Sequence, residues 1–176
     1  MGQNFGFVKV AAAVPGVEVA DCPHNVKEIE KQIAEAEGLG VQIMVFPELS
    51  VTAYTCADLF GHTLLLEQAQ RALAGLLEAT ARTSLLCVVG MPVAWGNSLY
   101  NCAVAFQQGR ILGVVPKSYL PNYKEFYEKR WFASGLAVTG ETVELCGSRV
   151  PFGVDLLFES AGAVVGIELC EDLWVP

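Results

Sequence analysis

Apolar and polar positions come in blocks along the first half of the chain. The run "FVKVAAAVP" reads as a buried strand, and "NVKEIEKQIAEAEGLG" as an amphipathic helix stopped by its glycines. Asp21 or Asn25 supplies the helix N-cap, since their side-chain oxygens accept from the free N–H groups of a first turn. "VQIMVFPEL" is a second buried strand, broken by Pro47. "TLLLEQAQRALAGLLEATART" carries apolar residues at helical spacing, and "SLLCVVGMPVAW" is a third strand. The β-α-β-α-β order, with near-continuous Val/Ile/Leu strands, predicts an α/β sheet whose helices cover one face.

The second half changes character. "LYNCAVAFQQGRILGVVPK" predicts a hairpin turning at Gln107 to Arg110. A long loop follows, holding Tyr119, Tyr123, Phe126, Tyr127, Trp131 and Phe132. After it, "ETVELCG", "GVDLLFES" and "AGAVVGIELC" read as further strands. No internal repeat, low-complexity tract or linker interrupts residues 1–176, so one folding unit is expected. The final words "CEDLWVP" come straight after a strand, without the helix an α/β unit places there, so further chain is expected to complete the domain.

Composition narrows the partners. Apolar residues make up 53% of the chain and charged residues 17%, so part of its surface is expected to lie against another domain or a second copy, as a homo-oligomer. A net charge of −8, with no cluster of Lys and Arg, argues against nucleic acid. No apolar run approaches the roughly 18 residues of a membrane span. "MGQNFGFVKV" has neither a basic n-region nor a long apolar core, and Gly6 breaks the myristoylation pattern, so a cytoplasmic protein is expected. The six cysteines show no CxxC, and neither His24, in a loop after Pro23, nor His62, opening a helix, stands at a ligand spacing from them; no metal is expected. Cys87, Cys102 and Cys146 lie in apolar strand-like runs and read as buried thiols. Cys170 differs, because it stands where an apolar run meets charge.

Three polar groups share a habit: Glu48 ends "IMVFPE", Lys117 ends "ILGVVPK" and Cys170 ends "VVGIELC". Groups at the carboxyl ends of strands converge in open α/β sheets. Their chemistries complement one another. A thiol is a strong nucleophile only once ionised. A carboxylate accepts its proton, and an ammonium stabilises the thiolate and then the oxyanion of a tetrahedral intermediate. The backbone N–H of Glu171 is a natural second oxyanion donor. With no histidine placed to serve, a Cys-His protease is disfavoured.

Glu48, Lys117 and Cys170 in that order, each after a strand, resemble the nitrilase superfamily of carbon–nitrogen hydrolases. The words "FPELSVTAYTCADLF", "PKSYLPNYKEFYEKRWF" and "CEDLWVP" are similar to those of the glutaminase domain of bacterial glutamine-dependent NAD synthetases. The resemblance runs along essentially the whole chain.

It implies an α-β-β-α sandwich, interrupted here after the nucleophile strand, as the N-terminal part of a nitrilase-like glutamine amidohydrolase domain. It also implies roles: Glu48 as general base and then acid, Lys117 as oxyanion stabiliser, and Cys170 as nucleophile on the side-chain amide of L-glutamine. Glu125 matches a second, orienting glutamate, although the residues alone read equally as a surface charge in "YKEFYEKR". Tyr123 is expected in the pocket wall. Glu171 is expected to meet the substrate α-ammonium, unless it and Asp172 bind neighbouring backbone. Trp174 either closes the pocket or packs under the next element. The glutaminase half needs no cofactor. ATP and Mg are expected only for a synthetase domain, whose SGGxDS-type loop this sequence lacks; that domain, amidating deamido-NAD to NAD, is the expected partner. Weak activity or none is expected of these 176 residues alone. Two other readings stay open: an amidase acting on a small aliphatic amide or carbamoyl compound, and a non-enzymatic module with an ordinary thiol at Cys170.

Overall fold

A computed structural model describes residues 6–175. Residues 1–5 of the amino-terminal stretch read for leader signals, and Pro176, lie outside the described residues.

Three short or central strands, β1 (Val10–Ala12), β2 (Ile43–Val45) and β3 (Leu86–Trp95), pair in parallel. Their crossovers carry α1 (Cys22–Gly38) and α2 (Thr63–Ala79), which pack on each other and on one face of the sheet. The sheet then turns antiparallel through β4 (Ser98–Gln107) and β5 (Arg110–Pro116). It closes with the hairpin β6 (Glu141–Leu145) and β7 (Ser148–Phe152), giving the order β1-β2-β3-β4-β5-β7-β6. A separate two-stranded sheet, β8 (Phe158–Ser160) and β9 (Ala163–Val165), follows.

Strand period 2 explains the layering. Cys87, Val89, Met91 and Val93 of β3 join the helix-side core, with Ile29, Ile33, Leu73 and Leu76. Leu86 and Val88 point the other way and meet Phe158, Leu169, Val165 and Ile167 from the β8–β9 side. The middle of the sheet is therefore covered on both faces, helices on one and β8–β9 on the other, which is why β3 and β4 read as unbroken apolar runs, while Val10 of β1 and Val45 of β2 stay exposed.

Several local expectations are corrected. Asp21, not Asn25, caps α1: its Oδ1 accepts from the His24 N–H at 3.0 Å. His24 therefore sits in the first helical turn rather than a loop, since Pro23 is well suited to that turn. Asn25 is buried and donates to the Glu18 and Val51 carbonyls, tying α1 to the loop after β2. The strand β7 was not anticipated, because "SRVPF" is short, polar at its start and contains Pro151. Cys146 lies in the β6–β7 turn with φ +50° and is half-buried, not in a strand. The strand expected over "AGAVVGIELC" stops at Val165, and residues 166–169 continue outside any sheet.

Candidate active site

Glu48, Lys117 and Cys170 reach the site from three different devices. Glu48 lies in the tight loop after β2. There Leu49, fully buried, takes the left-handed φ of +54°. The loop is laced to β3: the Val51 N–H donates to the Gly90 carbonyl at 3.0 Å, and the Gly90 N–H donates to Ser50 Oγ at 3.2 Å. A Cβ on Gly90 would stand 2.2 Å from the Leu49 nitrogen, so only glycine allows this approach.

Lys117 is the next residue after β5, and its N–H extends the β4–β5 ladder by donating to the Asn101 carbonyl at 2.8 Å. Gly135 packs on Pro116 and donates its N–H to the Lys117 carbonyl at 2.8 Å. The ammonium is wholly buried between two carboxylates: Nζ lies 2.7 Å from Glu48 Oε1 and 2.7 Å from Glu128 Oε1. Tyr54 donates its hydroxyl to the same Glu128 oxygen at 2.7 Å, and Asn101 Nδ2 donates to Glu48 Oε1. The side chain of Glu128 is 1% exposed and that of Glu48 16%, so Glu48 presents the accessible carboxylate and Glu128 braces it from behind.

The electrostatics follow from burial. Desolvation alone would lower the Lys117 pKa, but the Glu48 charge and the hydrogen bonds to Glu128 and Glu48 outweigh it and hold it above the ordinary lysine value. The ammonium is thus kept throughout neutral pH. Burial raises the Glu128 pKa, an effect that the Lys117 and Tyr54 hydrogen bonds only partly oppose. Burial also drives the Tyr54 phenol far upward, and its bond to Glu128 adds to that, so it stays a donor.

Cys170 starts a 3-10 turn (Cys170–Trp174) with φ +48°. Such a backbone is costly for a residue with a Cβ and persists only where its surroundings enforce it. Leu169, buried against the sheet, anchors the turn from one side while Cys170 itself is exposed. Cys170 and Glu48 line one cavity of about 240 Å³, floored by Phe46, Gly90 and Ala103. Partial burial raises the thiol pKa above its ordinary value; Lys117 lowers it, Glu48 and Glu128 raise it, and the Glu171 backbone N–H lowers it. The resting thiol is mostly protonated near pH 7, so its attack needs a base, and the Glu48 carboxylate faces the same cavity. The set suits attack on a carbonyl-type carbon: a nucleophile, a carboxylate, and an ammonium and backbone N–H for the oxyanion.

The carbon–nitrogen hydrolase family profile matches residues 9–176. The chain belongs to the carbon–nitrogen hydrolase family. It is 38% identical over 174 residues to a glutamine-dependent NAD(+) synthetase of Mycobacterium leprae (strain TN), covering 97% of this chain and 25% of that protein. A rat protein of the same description is 34% identical over 179 residues, covering 96% and 24%. Among solved structures, a glutamine-dependent NAD(+) synthetase from Cytophaga hutchinsonii superposes with a TM-score of 0.87 at 30% identity, over 94% of this chain and 28% of that one. An amidase from Nesterenkonia sp., at 20% identity and a TM-score of 0.62 over 81% of this chain and 53% of that one, shares the fold. The chain thus spans about a quarter of the length of the curated relatives it matches.

In this cluster, the second glutamate expected at Glu125 is a correction. Glu125 is exposed, and the buried partner of Lys117 is Glu128, three residues on, at the start of a 3-10 turn. Tyr123 and Glu171 do meet: the tyrosine hydroxyl donates to Glu171 Oε2 at 3.0 Å, beside a cavity of about 280 Å³ also lined by Ser118, Tyr119 and Lys129. Asp172, not Glu171, is the acid that binds backbone. Trp174 is 75% exposed and closes nothing within the described residues. Sequence reasoning missed Tyr54 and Asn101. A buried strand opening with an asparagine ("LYNCAVAF") was the available signal for the second. Among the described residues, no group of three or more His, Cys, Asp and Glu gathers as a metal site, and no helix is long and apolar enough to cross a membrane.

Proposed function

We propose that this chain is the amide-cleaving part of a glutamine-dependent NAD synthetase, releasing ammonia from L-glutamine. The observation that carries the reading is the buried Glu48–Lys117–Glu128 array set beside an exposed thiol on a strained turn. The choice of glutamine is supported by relatives at 34–38% identity whose descriptions name it.

Glu48 takes the Cys170 proton as sulfur attacks the substrate amide carbon. The C=O bond becomes an oxyanion held by the Lys117 ammonium and the Glu171 N–H. The intermediate collapses, its C–N bond breaks, and Glu48 returns the proton to the departing ammonia. A glutamyl thioester remains on Cys170. Water then loses a proton to Glu48 and attacks the thioester, and the thiol leaves with that proton as glutamate is freed. Glu128 and Tyr54 keep Lys117 charged and aimed. Tyr123 and Glu171 offer a hydroxyl and a carboxylate to the α-ammonium. The ammonia serves a synthetase domain that amidates deamido-NAD with ATP and Mg, so the glutaminase half itself uses no cofactor.

The test is intact mass after incubation with an electrophilic glutamine analogue, beside Cys170→Ala. One adduct per chain, lost in the variant, is the expected result. Alkylation by simple amide-sized electrophiles with no preference for the glutamine analogue would overturn the substrate and favour a small-amide hydrolase.

A further inference from the structure

The Asp172 carboxylate does something the reaction scheme does not use. Its Oδ1 accepts from the Tyr119 N–H at 2.8 Å and the Ser118 N–H at 3.1 Å. Its Oδ2 accepts from the Leu169 N–H at 3.2 Å, and its own N–H donates to the Leu169 carbonyl at 3.1 Å. Ser118 directly follows Lys117, and Leu169 directly precedes Cys170. One side chain thus gathers three amides from two segments far apart in sequence. These segments carry the oxyanion-stabilising ammonium and the nucleophile.

We propose that Asp172 is a positioning residue that clamps the end of β5 to the Cys170 turn and holds the thiol in reach of the Lys117 ammonium. The inference rests on the reading of Glu48, Lys117 and Cys170 given above. The two sides of the clamp are unequally fixed. Lys117 is buried, doubly ion-paired and held through both its backbone groups by Asn101 and Gly135. The Cys170 turn is the looser partner: Cys170, Leu173 and Trp174 are exposed, and the φ of +48° needs outside support. Without the clamp the turn relaxes away while Lys117 stays. The groups facing the thiol are Lys117 at the end of β5, Glu48 from the loop after β2, and Glu128 and Tyr123 from the loop after Lys117, with Tyr54 behind Glu128. Lys117 is the cation of this group, yet burial and the Glu48 and Glu128 charges together outweigh it, so the thiol returns towards its ordinary, lower pKa when the turn drifts out into water.

The experiment is the pH profile of Cys170 alkylation by iodoacetamide, together with the labelling rate by the electrophilic glutamine analogue, for the wild-type chain, Asp172→Asn and Asp172→Glu. The expected result is a downward move of the alkylation midpoint in Asp172→Asn, towards that of an ordinary thiol, and a glutamine-analogue labelling rate lower on the order of tenfold. Asp172→Glu, which keeps the charge but carries it one methylene further, falls between. A purely structural role would lower the melting temperature and leave the midpoint of the folded fraction unchanged; that outcome overturns the proposal. If Asp172→Asn does not fold, the same criterion applies to Asp172→Glu. In the wild-type chain, unprotected exchange of the Ser118, Tyr119 and Leu169 amides overturns it independently of any variant. Iodoacetamide does not depend on glutamine recognition. A shifted midpoint with no glutamine-analogue adduct in any form sinks the glutaminase reading alone, whereas an adduct with an unmoved midpoint sinks the positioning role alone.

Discussion

Replacing Gly90 by alanine separates the placing of Glu48 from its chemistry. The added methyl would stand 2.2 Å from the Leu49 nitrogen and 2.8 Å from both the Glu48 carbonyl carbon and the Pro47 oxygen. The first distance is roughly 1.2 Å short of an ordinary contact. All three obstacles are backbone atoms, so no flexible side chain swings aside. The loop itself must rise, yet Leu49 is buried and Glu48 is tied to Lys117 and Asn101. Overpacking of this kind costs about 1–3 kcal/mol, and the rigid neighbours place it near the upper end. A carboxylate displaced by about 1 Å from its working position costs on the order of 100-fold in rate.

The assay pairs a urea melt with the rate of adduct formation by the electrophilic glutamine analogue. Gly90→Ala is expected to stay folded, lose stability by that amount and label about 100-fold more slowly. The control is Gly75→Ala, on the exposed face of α2 with nothing within 4 Å of the new methyl. It should gain about 0.5–1 kcal/mol from helix propensity and label normally. A folded Gly90→Ala that labels within twofold of wild type would refute the claim that β3 sets the position of Glu48.

Three further outcomes follow from the charges. Lys117→Met leaves Glu48 and Glu128 facing each other in a buried site, and should cost about 3–5 kcal/mol at neutral pH. Burial already raises the Glu128 pKa, so the folded variant binds a proton that the unfolded chain does not; the deficit in urea melts should shrink as pH falls from 8 towards 5. Glu128→Gln removes a negative charge that raises the Cys170 pKa. Its iodoacetamide midpoint should therefore move down, even as glutamine-analogue labelling slows by on the order of tenfold through loss of an acceptor for Lys117. Native alkylation near pH 8 should modify Cys170 alone, because burial pushes Cys22 and Cys146 up to about 11 and Cys87 to about 12, while Cys56 and Cys102 are buried and raised by that burial; intact mass should show one adduct before denaturation and six after.

Much of the fold was legible because the central strands are buried on both faces and the helices on one. The Val/Ile/Leu runs of β2 and β3, the helical spacing of α2 and the Gln107–Arg110 turn are local consequences of burial and turn chemistry, and each was anticipated. What failed was settled by tertiary pairing. The polar, proline-containing "SRVPF" becomes β7 because it finds β6 and β5 to pair with. "GIEL" is apolar enough for a strand but is drawn off the sheet towards the Cys170 turn, where Leu169 buries against Leu86 and Val88.

The site shows the same division at finer grain. Glu48, Lys117 and Cys170 were visible because each breaks an apolar run, a signal written in the residue itself and its immediate neighbours. Glu125 and Glu128 offer no such contrast, since both sit in the same charged loop and neither ends a hydrophobic run. Only the path of the loop decides between them. Pro121 accepts from the Glu128 N–H at 3.2 Å, and the Trp131 and Phe132 N–H groups return to the Glu128 carbonyl. Phe132 is buried against Phe60, so the chain is pulled inward at this point. Glu128 is carried to the end of β5 with it, next to a lysine whose charge offsets the burial of a carboxylate. Glu125, on the outer part of the loop, stays in water, where a charge costs nothing. The aromatic residues after Lys117 are therefore part of the reason a second glutamate reaches the site, since the anchor they provide fixes which acid turns in.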